Sequence, residues 1–322
     1  ICTGCALGCN TLVGERYGKL KRTHNRFNRE VNGYFLCDRG RFGGQHVNSE
    51  QRLDVAGLQD DEGSFTAINT EQAIALAADH CRGKRLAAIG SPRASVESNY
   101  CLQTLVGSEN FCSGMDDDEH ELVQRALTLL ASSPAHNPSL HEIEAADAIL
   151  ILGEDPTQTA PRMALALRQS VRNRAYELAA DLRLETWQDA AIRNLAQDQR
   201  SPLHIVCAGS SDLDDVAASR TSLARDDQVL LADEILAALQ GQPNVSALAQ
   251  NIATDLSRAK NPLIIGGTAD HNAALLDRAA NIAKALTTRS ESAAATSDGI
   301  APTLFSVCLP ESNSMGLALL TQ

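Results

Sequence analysis

The 21 glycines of this chain include no Gly-x-Gly anywhere and no GxxxxGK[ST] loop. The dinucleotide fingerprint and the phosphate-cradling loop are therefore both missing. No apolar run approaches the ~20 residues that a bilayer-spanning helix needs, so any link to a membrane is expected to run through partners rather than by direct insertion. The formal net charge of −12 argues against general nucleic-acid binding. His24, His46, His136 and His141 have no paired ligand spacing. No Ser/His/Asp order, paired acid/base motif or activated nucleophile can be defended from spacing, so no catalytic residue is assigned. Nine cysteines is an odd number, and 322 residues is too long for a stapled secreted scaffold. The chain has neither an initiator Met nor a signal peptide, and is expected to be cut at both ends.

What the sequence does have is a crowd of thiols at its start. Cys2, Cys5, Cys9 and Cys37 form a C-x2-C-x3-C-x27-C array. It reads as the thiolate cage of one [4Fe–4S] cluster, because each of the four irons of a cubane takes one terminal sulfur and thiolates are the side chains that hold such inorganic cores. A tight loop wraps three corners and a remote thiol closes the fourth. Gly4 and Gly8 let the loop backbone curl towards the inorganic sulfides. Zinc is the alternative metal, although structural zinc sites usually pair two short knuckles and here the second half offers only Cys37. A disulfide pair is the other alternative.

Charge is unevenly spread. Residues 1 to 52 hold nine Lys/Arg against four Asp/Glu, a net +5, which leaves −17 for the remainder. Cations around an anionic cluster raise its potential, and Arg39 is singled out because it follows the last thiol by two positions. The same basic charge also suits an acidic neighbouring protein in an assembly.

Past residue 60 the texture becomes Ala/Leu-rich helical periodicity alternating with brief apolar runs, the grammar of an α/β fold. Thr70 is expected to cap a helix over 71–82 with Ile74, Ala77, Ala78 and Cys81 on one face, followed by a strand near 86–89. Ser91 and Pro92 are expected to open a helix carrying Ala94, Cys101 and Leu105 inward. Leu122, Ala126, Leu129 and Leu130 stripe a further helix, as do Met163, Leu167 and Val171 after Pro161, and Leu275, Ala279, Ile282 and Leu286. Strands are expected at 148–152, 203–208, 263–265 and 303–307. Cys81, Cys101, Cys207 and Cys308 read as small buried hydrophobes, and Cys112 as a core or strand-end residue. The acidic run 116–119 reads as a helix start rather than a cation site. The loops at Gly90 and Gly153, after strands, are where such sheets place ligands.

Several stretches carry a family resemblance: Tyr34-Phe35-Leu36-Cys37-Asp38-Arg39-Gly40-Arg41-Phe42-Gly43, the run from Gly90 to Asn99, Gly153-Glu154-Asp155-Pro156-Thr157-Gln158-Thr159, and Ser312-Asn313-Ser314-Met315-Gly316. Together they resemble the molybdopterin-oxidoreductase superfamily, and within it the branch formed by the G subunits of bacterial NADH-quinone oxidoreductase, respiratory complex I. The resemblance runs nearly end to end. It implies a small β-rich [4Fe–4S] domain over 1–55, followed by Rossmann-like α/β layers with a mostly parallel sheet over 56–322, in two interleaved subdomains. It also implies an electron-transfer and scaffold piece of a longer polypeptide, not catalytic by itself, with other peripheral-arm subunits as partners, on the cytoplasmic face of the bacterial inner membrane. NADH and FMN would sit on those other subunits. The Gly153 loop resembles the superfamily's pterin-nucleotide cradle, but Glu154 and Asp155 place carboxylates where phosphates need donors, so no molybdopterin is expected. The competing readings are a piece of an autonomous molybdopterin oxidoreductase of formate dehydrogenase or nitrate reductase type, and a structural interaction module with zinc or no metal.

Overall fold

The computed structural model describes residues 1–294 and 302–322. It opens on an antiparallel hairpin, β1 (Thr11–Arg16) with β2 (Lys19–Asn25). Tyr17 and Gly18, both at positive φ, make its two-residue turn, the geometry that matches strand twist. A short helix α1 (Asp38–Phe42) follows Cys37. A second hairpin, β3 (Ala56–Gln59) with β4 (Phe65–Ile68), leads to helix α2 (Thr70–Cys81). Strand β5 (Ala88–Ile89), helix α3 (Val96–Val106) and strand β6 (Phe111–Cys112) come next, β5 and β6 pairing in parallel.

The main layer begins with helices α4 (Asp117–Ser132) and α5 (Leu140–Glu144) and strand β7 (Ala148–Leu152). Helices α6 (Pro156–Thr159), α7 (Pro161–Ser170), α8 (Asn173–Asp181) and α9 (Asp189–Ala196) lead to strands β8 (Leu203–Cys207) and β9 (Ser219–Ser222). Then come α10 (Arg225–Leu239), α11 (Ala247–Arg258), β10 (Pro262–Gly267), α12 (Ala273–Ala294), β11 (Leu304–Cys308) and α13 (Ser314–Leu320). The sheet is five-stranded in the order β11-β10-β7-β8-β9 and wholly parallel. Every residue of β7, β8 and β11 is buried, as expected of parallel strands covered on both faces. Alternation sorts their side chains. Leu150, Leu152, Val206, Ile264 and Phe305 pack one face against α10, α11 and α12, while Ile149, Ile151, Ile205 and Ile265 pack the other against α5 and α7. The expected α/β class with a mostly parallel sheet is the fold observed.

Two expected helices differ in detail. The cap of α2 is Asn69 rather than Thr70: the Gln72 backbone N–H donates to Asn69 Oδ1 at 2.8 Å, completing a capping box. No residue of α2 is buried, and Ile74 is 64% exposed. Helix α3 starts four residues later than Ser91 and Pro92 suggest, with Ser95 as its cap. The cause is Asn99, whose side chain accepts from Ser91 N–H and donates to Ser91 O, both at 3.0 Å, holding 91–94 as a turn. Cys101 is exposed and Leu105 is 69% exposed, so the face expected inward is open, and Cys81 is only half-buried. Cys207 and Cys308 are buried as expected, and Cys112 is an exposed strand-end residue. Asp116 caps α4, so the acidic run is a helix start.

Candidate metal centre

Cys5 and Cys9 lie within electrostatic reach of each other and of both Cys2 and Cys37. Backbone closure of the loop is direct, with Cys2 N–H donating to Cys9 O at 2.8 Å. Gly8 at φ +67° turns the chain where a side chain would be strained. Gly40 of α1 packs tightly: a Cβ there would meet Leu36 Cδ1 at 2.7 Å and Cys2 Sγ at 3.1 Å. The helix after Cys37 therefore needs glycine to lie against the loop. Asn32, fully buried, knits the loop to the segment approaching Cys37. Its Oδ1 accepts from Asn10 N–H at 2.9 Å, and its amide donates to the carbonyls of Arg26, Gly33 and Phe35 at 3.1 to 3.3 Å.

Cys5 and Cys9 are buried, and Cys2 and Cys37 half-buried. Burial is the main force pushing the Cys9 thiol up to about 12, and the proximity of Cys5, Cys2 and Cys37 adds to it. Burial likewise raises Cys5, with Cys37 and Cys2 adding to it against a backbone hydrogen bond from Leu7 and the Arg39 cation. Buried thiols such as Cys5 and Cys9 ionise only with compensating positive charge, which a bound metal would supply. Four soft sulfur donors are also the right chemistry for an iron–sulfur core. Gly4 N–H points at Cys2 Sγ, 3.4 Å away, as backbone donors do around such sulfurs. Among the described residues no three His, Cys, Asp or Glu side chains form a group that could hold a single metal ion.

The centre sits against the carboxyl edge of the parallel sheet, where ligands of such folds belong. Leu7 packs against the α5/α7 core, and Ala6 against the opposite one. Arg39 bridges the two regions, its Nη1 donating to Gly4 O at 3.2 Å and its Nη2 to Gln158 O of α6 at 2.6 Å. Its donors thus go to carbonyls rather than to Asp38 or Glu30, the carboxylates nearest it in sequence. A groove of about 630 Å³, with Arg39, His46 and Arg93 in its wall, opens beside Cys2.

The Gly153 loop turns its carboxylates away from any outer ligand. Glu154 is 2% exposed and accepts from Thr159 Oγ1 at 2.9 Å and Asp155 N–H at 3.0 Å. Burial raises its carboxyl to about 7. Asp155 caps α6, accepting from Thr157 N–H at 3.1 Å and Ser211 Oγ at 2.7 Å. Sequence reasoning missed Arg162, which follows Pro161 at the start of α7 and looks there like an ordinary exposed arginine. It is 5% exposed, donates from Nε to Asn32 O at 3.2 Å and from Nη2 to Glu144 Oε1 at 2.6 Å, and lies over the Phe35 ring at 5.4 Å.

Residues 1–49 match the molybdopterin oxidoreductase Fe4S4 domain, and residues 52–296 match molybdopterin oxidoreductase. The chain belongs to the molybdopterin oxidoreductase family, and its first domain is of the iron–sulfur type. Its curated relatives narrow this further, to the G subunits of NADH-quinone oxidoreductase. The chain is 44% identical over 328 residues to the G subunit from Pseudomonas fluorescens, covering 99% of this chain and 35% of the relative. To the G subunit from Escherichia coli (strain K12) it is 45% identical over 297 residues, covering 89% of this chain and 32% of the relative. The chain thus spans about a third of the length of these relatives. No described helix is long and apolar enough to cross a membrane.

Proposed function

We propose that Cys2, Cys5, Cys9 and Cys37 ligate one [4Fe–4S] cluster, and that the chain is an electron-transfer and scaffold piece of a NADH:quinone oxidoreductase. The observation that carries this reading is that Cys5 and Cys9, both buried, lie within electrostatic reach of each other and of Cys2 and Cys37, at the carboxyl edge of a parallel sheet. When bound, the cluster supplies reversible one-electron chemistry without proton transfer to a substrate. The chain's own residues do the rest. Cys5 and Cys9 hold two corners away from water, and Arg39 and Asn32 fix the loop against α6 and the approach to Cys37. In this reading residues 1–55 are the cluster domain, and 56–322 an α/β region whose pterin site is degenerate, because Glu154 and Asp155 are spent on internal hydrogen bonds. NADH and FMN belong to other subunits of the peripheral arm, the chain's partners, and the assembly lies on the cytoplasmic face of the inner membrane.

Metal and acid-labile sulfide analysis of anaerobically prepared protein tests the proposal. Roughly four irons and four sulfides per chain are expected from the cubane's composition, whereas one zinc per chain overturns it. Bound pterin and molybdenum in the longer polypeptide would favour an autonomous enzyme instead.

A further inference from the structure

We propose that Arg162 sets the reduction potential of the iron–sulfur group, acting as a fixed, buried cation packed on the segment that leads to Cys37. The inference rests on the cluster reading above and concerns a residue that acts on the thiols through its field rather than through a hydrogen bond.

Arg162 differs from the other cations near the centre. The cations of the first 52 residues, Arg39 among them, are mostly exposed, so water screens their fields. The side chain of Arg162 is 5% exposed. It reaches out of α7 into the cluster segment, held by Asn32 O on one edge and stacked over Phe35. Its position is therefore fixed by the same asparagine that ties the thiol loop to the segment before Cys37. Arg162 donates to the carbonyl of Asn32, whose side chain accepts in turn from the N–H of Asn10, the residue that follows Cys9. Its Nη1 is buried with no hydrogen-bond partner, an expense that a purely structural arginine would avoid. The counter-charge, Glu144, is 31% exposed at its side chain, so solvent screens the carboxylate more than the guanidinium.

Reduction brings one electron from an external one-electron reductant and adds one negative charge to the cluster. No bond forms or breaks and no proton moves. A buried cation favours the more negative state. A unit charge about 10 Å away at an effective dielectric near 20 changes the reduced-to-oxidised ratio by about tenfold. For a one-electron couple that fold-change is ~59 mV.

The test is a redox titration of the anaerobically reconstituted full chain with dithionite, followed by paramagnetic resonance, with iron and sulfide counted in each sample. Arg162→Gln is expected to lower the reduced-to-oxidised ratio at fixed potential about tenfold, and Arg162→Lys to hold it within about threefold, since the charge is kept. Glu144→Gln removes the opposing charge and is expected to move the ratio the other way. A fully loaded Arg162→Gln protein with an unchanged potential overturns the inference, as does an equal fall in Arg162→Lys, which would indicate lost packing rather than lost charge. If Arg162→Gln does not fold, Glu144→Gln decides: an unchanged or lowered potential overturns the inference. A wild-type chain that assembles no iron and sulfide refutes the cluster reading itself, before any variant is compared.

Discussion

Replacing Glu154 by glutamine isolates the electrostatic cost of burying a carboxyl at the carboxyl edge of the sheet. Glu154 lies against Gly267, where even a methyl group would collide with its Oε2. Burial, with a smaller contribution from the neighbouring Asp155 charge, raises it from an ordinary value of 4.5 to about 7. The unfolded chain then releases this proton near 4.5 and the folded chain near 7, so between those values the folded state binds more protons. Stability must fall as pH rises through that window and level off above it. A rise of that size corresponds to about 3 kcal/mol. Glutamine keeps the shape and still accepts from Thr159 Oγ1 and Asp155 N–H, but cannot ionise. Urea denaturation of both proteins from about pH 4.5 to about pH 8 should give a stability difference, wild type minus variant, that declines by about 3 kcal/mol and is then flat. Because each pH compares the two proteins directly, all other titrating groups cancel. A difference that is constant across the range, or that grows with pH, refutes the reasoning.

The other predictions concern the centre and the sheet. Cys37→Ser should abolish the iron–sulfur absorbance while the far-UV circular dichroism of the α/β layers is retained; an unchanged reduced spectrum would contradict the ligand assignment. Asn32→Ala removes the side-chain partner of part-buried backbone groups of Asn10, Arg26 and Phe35. It should hasten loss of iron to a chelator, and a wild-type rate would show that the loop is held by other contacts. His204 is buried between Ser219 Oγ and Asp255 Oδ2, at 2.7 and 3.0 Å, and burial lowers its pKa despite the aspartate. Stability should therefore be lost as pH falls below its ordinary value of 6.5. His204→Gln should flatten that acid limb relative to wild type, and an equally steep limb would remove His204 as its cause.

The central strands were legible because parallel strands covered on both faces are mainly apolar: those expected at 148–152, 203–208 and 303–307 are observed at 148–152, 203–207 and 304–308. Strand β9 was not legible: it is an edge strand of Ser-Arg-Thr-Ser with alternate residues half-buried, and nothing apolar marks it. Helices α2 and α3 show a different limit. Periodicity names the face a helix would bury but carries no information on what covers it, so Ile74 and Leu105 were placed inward on a pattern that the described chain leaves open. Cap positions were displaced because two competent residues stood close together, Asn69 beside Thr70 and Ser95 after Ser91. Only the tertiary hook of Asn99 chooses between the second pair.

Spacing brings the four thiols forward as a candidate set, since residue type and sequence separation are both written in the chain. Their electrical surroundings are not. A basic count of +5 over the first 52 residues describes charges that water largely screens. The cation with the least screening is contributed from residue 162, far along the sequence, by a helix that packs on the opposite segment. Its burial follows from three contacts, with Asn32, Glu144 and Phe35, none of which local sequence predicts. Arg39, by contrast, was visible beside Cys37, yet it spends its donors on the carbonyls of Gly4 and Gln158 and remains in contact with solvent. The two arginines thus divide between them what sequence proximity assigned to one: Arg39 clamps the loop to α6, and Arg162 supplies the field.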